Sequence, residues 1–183
     1  MRRLVLASLV LALLLSVAAM VRYGYAVWGT VQDNGAIRAL AAGHEAALRE
    51  NAGPRALHAR ILFLAWRDKL AEAQELLPRL ADGPSDLQSE APFAIANARM
   101  RSAYDYIEAG RFEDATPEIE LAKLAYREAL RAVPGNRDAK VNLELAMRLV
   151  RDLPRPLAEG EEDPENQPRQ LWTDLPGMPR GAP

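Results

Sequence analysis

Two histidines, His44 and His58, and one acidic run, Glu159-Gly160-Glu161-Glu162-Asp163-Pro164-Glu165, are the residues whose types suit metal or acid-base chemistry. A helical metal face needs ligands three or four positions apart, and neither histidine has a carboxylate or imidazole at that spacing. Both read as surface or interhelical residues. A calcium loop alternates its oxygen ligands, whereas this acidic run is unalternated and sits among prolines, so it reads as a solvated flexible segment. The chain has no cysteine, which excludes a disulfide framework, a thiolate metal site and a Cys nucleophile. No GxSxG, GxxxxGK[ST], HExxH or EF-hand pattern occurs, and the glycines form no phosphate cradle. The expectation is therefore a non-enzyme with no catalytic residue, metal site or cofactor. Recognition of another molecule is the remaining chemistry, and it depends on the elements that carry the polar and aromatic side chains.

The composition is that of a helical protein. Ala and Leu supply about a third of the 183 residues, whereas Val, Ile and Thr together supply 17. Residues 154–183 carry three Arg against six acidic side chains, leaving the first 153 residues near neutrality. Neither part is basic enough for a nucleic-acid partner. The expected organisation has three parts: a membrane anchor over 1–31, an all-α domain over 32–153 and a disordered, acidic, Pro-rich tail over 154–183. The tail holds seven prolines and one short apolar island at Leu171, Trp172 and Leu175.

Arg2 and Arg3 precede an unbroken apolar run, Leu4 to Val21, which as a helix spans roughly 27 Å, close to the hydrocarbon thickness of a bilayer. Leu4, Leu13, Val21 and Trp28 mark the anchor, and Tyr23, Tyr25 and Trp28 follow where an interfacial aromatic belt belongs. Positive charge at the extreme N-terminus favours an N-in, single-pass topology. Everything after Val31 then lies across the inner membrane, in a Gram-negative periplasm. The competing readings are a cleaved secretory signal, for which Val17-Ala18-Ala19 fits, and a buried core helix.

Beyond the anchor, apolar residues recur at helical spacing and Gly and Pro fall between the periodic segments. The first segment, about 34–50, can use Asn34 as N-cap, is expected to continue from the membrane anchor and ends at Asn51-Ala52-Gly53-Pro54. The second opens on Pro54 and carries Leu57, Ile61 and Leu64; the third carries Leu70, Ala73, Leu77 and Leu80 and pairs with it antiparallel. Asp82-Gly83-Pro84-Ser85 breaks the chain before a fourth with Phe93, Ala96, Met100, Ala103 and Ile107. Thr116-Pro117-Glu118 has the form of a helix start, running to about Ala132. The last helix, after Pro134-Gly135-Asn136, aligns Ala139, Leu143, Ala146, Val150 and Leu153.

The run Glu108-Ala109-Gly110-Arg111-Phe112-Glu113-Asp114-Ala115 resembles the turn and second-helix start of a tetratricopeptide repeat, with Ala103 and Tyr106 at the small and aromatic sites of the first helix. Tyr126, Ala129, Leu130 and Pro134 resemble the close of the same repeat. The match carries an insertion of seven residues between Ala115 and Ala129, placed either within the helix or, as Pro117 suggests, in the turn. Asn136 onward reads as the opening of a next unit, and a poorer unit spans about 54–87 through Leu64, Ala73, Leu77 and Leu80. A plain Ala-rich bundle is the alternative. In the repeat register the inward sites are Arg55, His58 and Leu62; Asn97, Met100, Arg101 and Tyr104; and Asp138, Val141, Asn142 and Leu145. They are either a partner-binding surface or ordinary helix-surface residues.

Together with the anchor, the segment Asp33 to Gly43 (DNGAIRALAAG) and the helix Asn142 to Leu149 (NLELAMRL) make the chain resemble the MxaK family, small accessory proteins encoded with periplasmic methanol dehydrogenase in methylotrophic bacteria. The resemblance covers most of residues 1–153. It implies a non-catalytic, membrane-anchored periplasmic protein that helps mature methanol dehydrogenase, through calcium insertion by a complex of accessory proteins. Its implied partners are those accessory proteins and the dehydrogenase, and it supplies no metal-ligating residue. A general periplasmic tetratricopeptide scaffold for another envelope or cytochrome assembly, and a secreted soluble binder, are the rival functions.

Overall fold

The computed structural model describes residues 2–153, and among these the chain is all-α, without strands. The expectations for the tail, including its disorder, the acidic run and the island at Leu171, Trp172 and Leu175, fall outside the described residues. The helices are α1 (Arg2–Ala41), α2 (Pro54–Trp66), α3 (Leu70–Leu76, continued by a 3-10 turn over Leu77–Leu80), α4 (Ser85–Glu108), α5 (Phe112–Ala132) and α6 (Arg137–Asp152).

Helix α1 has 40 residues and runs unbroken from the apolar segment into the body. Its stretch Val5–Ala41 is long and apolar enough to cross a membrane, with a mean hydropathy of 2.4 over its most apolar 18 residues, none of them buried. Leu13 and Val21 are exposed, so the core-helix reading is excluded. Two expectations about this region are corrected. Asn34 caps nothing, because it lies inside α1, and the helix ends at Ala41 rather than near residue 50. Gly43 supplies the stop. At φ 80° it takes the left-handed conformation, its N–H donating to the Leu40 carbonyl (3.0 Å) and that of His44 to the Ala39 carbonyl (2.9 Å). That pair of bonds is the Schellman ending that only a residue without Cβ adopts cheaply.

Residues 44–53 then fold back along α1. Arg49 donates from Nε (3.2 Å) and Nη2 (2.9 Å) to Asp33 Oδ1, and from Nη2 to the Gly29 carbonyl (3.1 Å). The Gly53 N–H donates to Asp33 Oδ2 (2.8 Å), and the Arg49 guanidinium lies 5.7 Å from the Trp28 ring. The expected boundary at residue 31 is therefore crossed by one continuous helix clamped to the body from Trp28 onward.

Helix α2 starts with Pro54 in its first turn, as its missing N–H allows. The chain returns antiparallel through α3, so that a Cβ at Gly83 would lie 3.3 Å from Pro54 Cβ. Helices α4 and α5 form the central hairpin, antiparallel through the Phe93–Tyr126 ring pair at one end and the Arg99–Glu118 ion pair further along. Its turn places Gly110 at φ 72°, with the Arg111 N–H donating to the Tyr106 carbonyl (2.8 Å). Ala103 and Ala115 are fully buried at the crossing, with Tyr106 and Phe112 packed beside them.

The Thr116-Pro117-Glu118 start is corrected: α5 begins at Phe112 and carries Pro117 inside it. One intrahelical bond is forfeited there, while Ala115, Ile119 and Ala122 on the same helix are completely buried, and that packing outweighs local propensity. Residues 116–128, between Ala115 and Ala129, therefore lie in helix, not in a turn. Asn136 caps α6 by accepting from the Ala139 N–H (3.1 Å), as its position after Pro134-Gly135 predicts.

Helices α2, α4 and α6 run in the same direction: His58 faces Glu90 while Ala65 meets Arg101, and Ser89 meets Asn136 while Asn97 meets Asn142. One apolar core joins α4, α5 and α6, and a second joins Leu40 of α1 to α2, α3 and the first half of α4.

Candidate functional site

Because α2 and α4 are parallel and α1 ends beside them, their facing surfaces enclose an open groove of about 860 Å³. Arg55, His58, Leu62 and Trp66 succeed one another on α2, Asn97 and Arg101 face them from α4, and Ile37, Leu40 and Ala41 close the side toward α1. Asn97 and Arg101 also border a smaller depression of about 220 Å³ with Met100, Tyr104, Tyr126, Asn142 and Leu145. The two concavities thus follow the parallel helices in sequence. Of the residues expected at inward sites, Asp138 and Val141 line neither. Asp138 is exposed in the first turn of α6, where a carboxylate suits the positive end of the helix dipole.

Both asparagines expected at inward sites are engaged within the protein. Asn97 Oδ1 accepts from Tyr126 Oη (2.7 Å) and from Asn142 Nδ2 (3.0 Å), so α4, α5 and α6 are tied at one acceptor. Burial pushes the pKa of the Tyr126 phenol up to about 12, only partly opposed by the nearby Asn142 amide. The asparagines therefore fix the depression's shape.

The arginines are held in place without being neutralised. Arg101 Nη2 donates to the Ala65 carbonyl at the end of α2 (3.0 Å), with its guanidinium 5.5 Å from the Trp66 ring. Arg67 donates to the Gly43 carbonyl (2.5 Å) and lies 4.4 Å from the Phe63 ring. His58 places Nε2 3.5 Å from Glu90 Oε2 without a hydrogen bond, a pair that becomes ionic only when the imidazole is protonated. Burial lowers the imidazole pKa below its ordinary value, with Glu90 and Asp86 opposing. His44 is exposed on the loop after α1. Among the described residues no group of three His, Asp or Glu side chains could hold a metal.

Sequence reasoning missed Ile37, Phe63, Trp66 and Arg67. Trp66 had a signal, since it extends the Arg55, His58, Leu62 spacing by one more turn. Ile37 had none, because it reaches the groove only through the early end of α1. Also missed was the buried Arg99, which donates to Glu118 Oε2 (2.9 Å) and Gln74 Oε1 (3.1 Å) and joins α3, α4 and α5 behind the groove.

In comparison with known proteins, no family model, no curated protein and no solved structure matches the chain.

Proposed function

We propose that the protein is a non-catalytic, single-pass membrane-anchored scaffold, with the bulk of its chain in the periplasm, that assists maturation of methanol dehydrogenase. The observation that carries the scaffold reading is the open groove along parallel α2 and α4, whose exposed arginine, leucine and tryptophan side chains suit contact with another polypeptide. Parallel α2, α4 and α6, the Gly110 turn and the Ala103–Ala115 crossing support degenerate tetratricopeptide units. The exposed apolar length of α1 supports the anchor. Its unbroken passage into the clamped segment supports retention over cleavage, and a mature N-terminus at Met20 would overturn that part.

The specific assembly rests on the resemblance at Asp33 to Gly43 and Asn142 to Leu149, which points to accessory proteins of methanol oxidation as partners. Deleting the gene and assaying calcium-loaded methanol dehydrogenase in the periplasm tests it. Loss of metal loading and of growth on methanol is expected. Normal loading and growth would remove the dehydrogenase role and leave a scaffold for another envelope assembly.

A further inference from the structure

We infer that the groove between α1, α2 and α4 docks an extended acidic peptide segment bearing apolar side chains, presented by another polypeptide. This rests on the scaffold reading and adds the partner's chemistry to it. Charge is the first argument. Arg55, Arg67 and Arg101 line the groove together with no acidic residue. Among the described residues none of the three forms an ion pair, although Arg49, Arg60, Arg99 and Arg111 all do. An unneutralised set of arginines around one cleft is complementary to carboxylates, which guanidinium forks bind with two parallel hydrogen bonds.

Preorganisation is the second. Arg67 and Arg101 are each held by a backbone carbonyl and an aromatic ring, so little side-chain freedom remains to be lost when an anion arrives. The carbonyls leave the positive charge available.

The apolar side chains of the partner follow from the groove's surface. Trp66 is 78% exposed and Leu62, one turn earlier on α2, 41% exposed. Arginine and tryptophan around an apolar centre are the residue types that concentrate binding energy at protein interfaces. Shape then selects an extended chain over a compact ligand. The cleft is open rather than enclosed, and it continues past Asn97 and Arg101 toward Met100, Tyr104 and Leu145. Its α1 wall begins at Ile37, nine helical residues beyond Trp28, or roughly 14 Å along the axis. With Trp28 at the membrane interface, that height suits a polypeptide above the headgroups.

The test uses the full chain in detergent micelles and a fluorescent twelve-residue peptide alternating Asp or Glu with Leu and one Trp. Its control replaces every acidic residue with Lys. The acidic peptide should bind at least about tenfold more tightly than the control, and rising salt should weaken it. Arg55→Glu, at an exposed side chain without internal hydrogen bonds, should weaken binding about tenfold with an unchanged melting curve. Leu62→Ser should weaken it independently.

Equal binding of both peptides, or no loss in either variant, would overturn the inference. So would dimerisation on sedimentation that Arg55→Glu abolishes, which would make a second copy the occupant, or peptide binding that appears only after removal of residues 154–183. If the double variant Arg55→Glu, Leu62→Ser restores methanol growth to a strain lacking the gene, the groove inference falls and the scaffold function stands.

Discussion

Asn97 shows how a residue can look like a binding group and act as a fastener. Its single carbonyl oxygen accepts from both Tyr126 and Asn142, so replacing it with Leu leaves a phenol and an amide without that acceptor. Asn97→Leu should destabilise the domain by about 1–3 kcal/mol in urea unfolding. Tyr126→Phe, which removes one donor and leaves the acceptor its other partner, should cost less. His58 predicts a pH dependence. Its folded pKa lies below 6.5, so as pH falls through that value the unfolded chain takes up a proton that the folded chain resists. Wild-type stability should therefore decline as pH falls below about 6.5 more steeply than that of His58→Gln. Parallel declines would place the sensitivity elsewhere. At the α4–α5 crossing, Ala103 has no exposed surface, and Ala103→Leu should cost about 1–3 kcal/mol by overpacking, read as a lowered Tm.

Among the elements, the helix starts set by a strictly local signal were legible, whereas the end of the first segment and the start of α5 were not. Pro54 and Asn136 begin their helices as written, because a proline without a donor and an asparagine with a short acceptor act on their immediate neighbours. Gly43 carried an equally local signal, yet Asn51-Ala52-Gly53-Pro54 made a more conspicuous end for the first segment. The segment between them was misread as helix because its Ala and Leu residues have helical composition; it is held instead by the long-range contacts of Arg49 with Asp33 and Gly29. Arg49→Met should speed hydrogen exchange across residues 44–53 while sparing the centre of α4. Unchanged exchange would show that the clamp is dispensable. Gly110→Ala, at φ 72°, should lower stability by about 1–2 kcal/mol, as a Cβ is disfavoured in the left-handed conformation.

On the scale of the whole molecule, the distinctive feature is one helix that is both apolar stem and groove wall. Arg49 and Gly53 bind Asp33 below Ile37 and Leu40, so the groove is fixed to the helix that leaves the body. The full chain should remain in the membrane fraction after high-salt and carbonate washes, and quantitative release by either would end the anchor reading. A helix break between Trp28 and Asp33, such as Val31→Pro, should preserve fractionation while loosening protection of residues 44–53, because the anchor lies before the break and the clamp across it.

The sequence alone determined the α-helical class, the apolar N-terminal helix, the helix starts at Pro54 and Asn136 and most of one face of the groove. These follow from composition and from periodicity within single helices, where neighbouring residues settle the outcome. Only the tertiary structure decided that Asn97 and Asn142 fasten to each other, that Arg67 and Trp66 join the groove, and that α1 supplies its wall. It also decided that Pro117 lies inside α5, where buried packing on Ala115 and Ile119 overrides the local preference for a helix start. Partners far apart in the chain meet only once helices have packed, and no spacing along one helix encodes which residue another helix will bring.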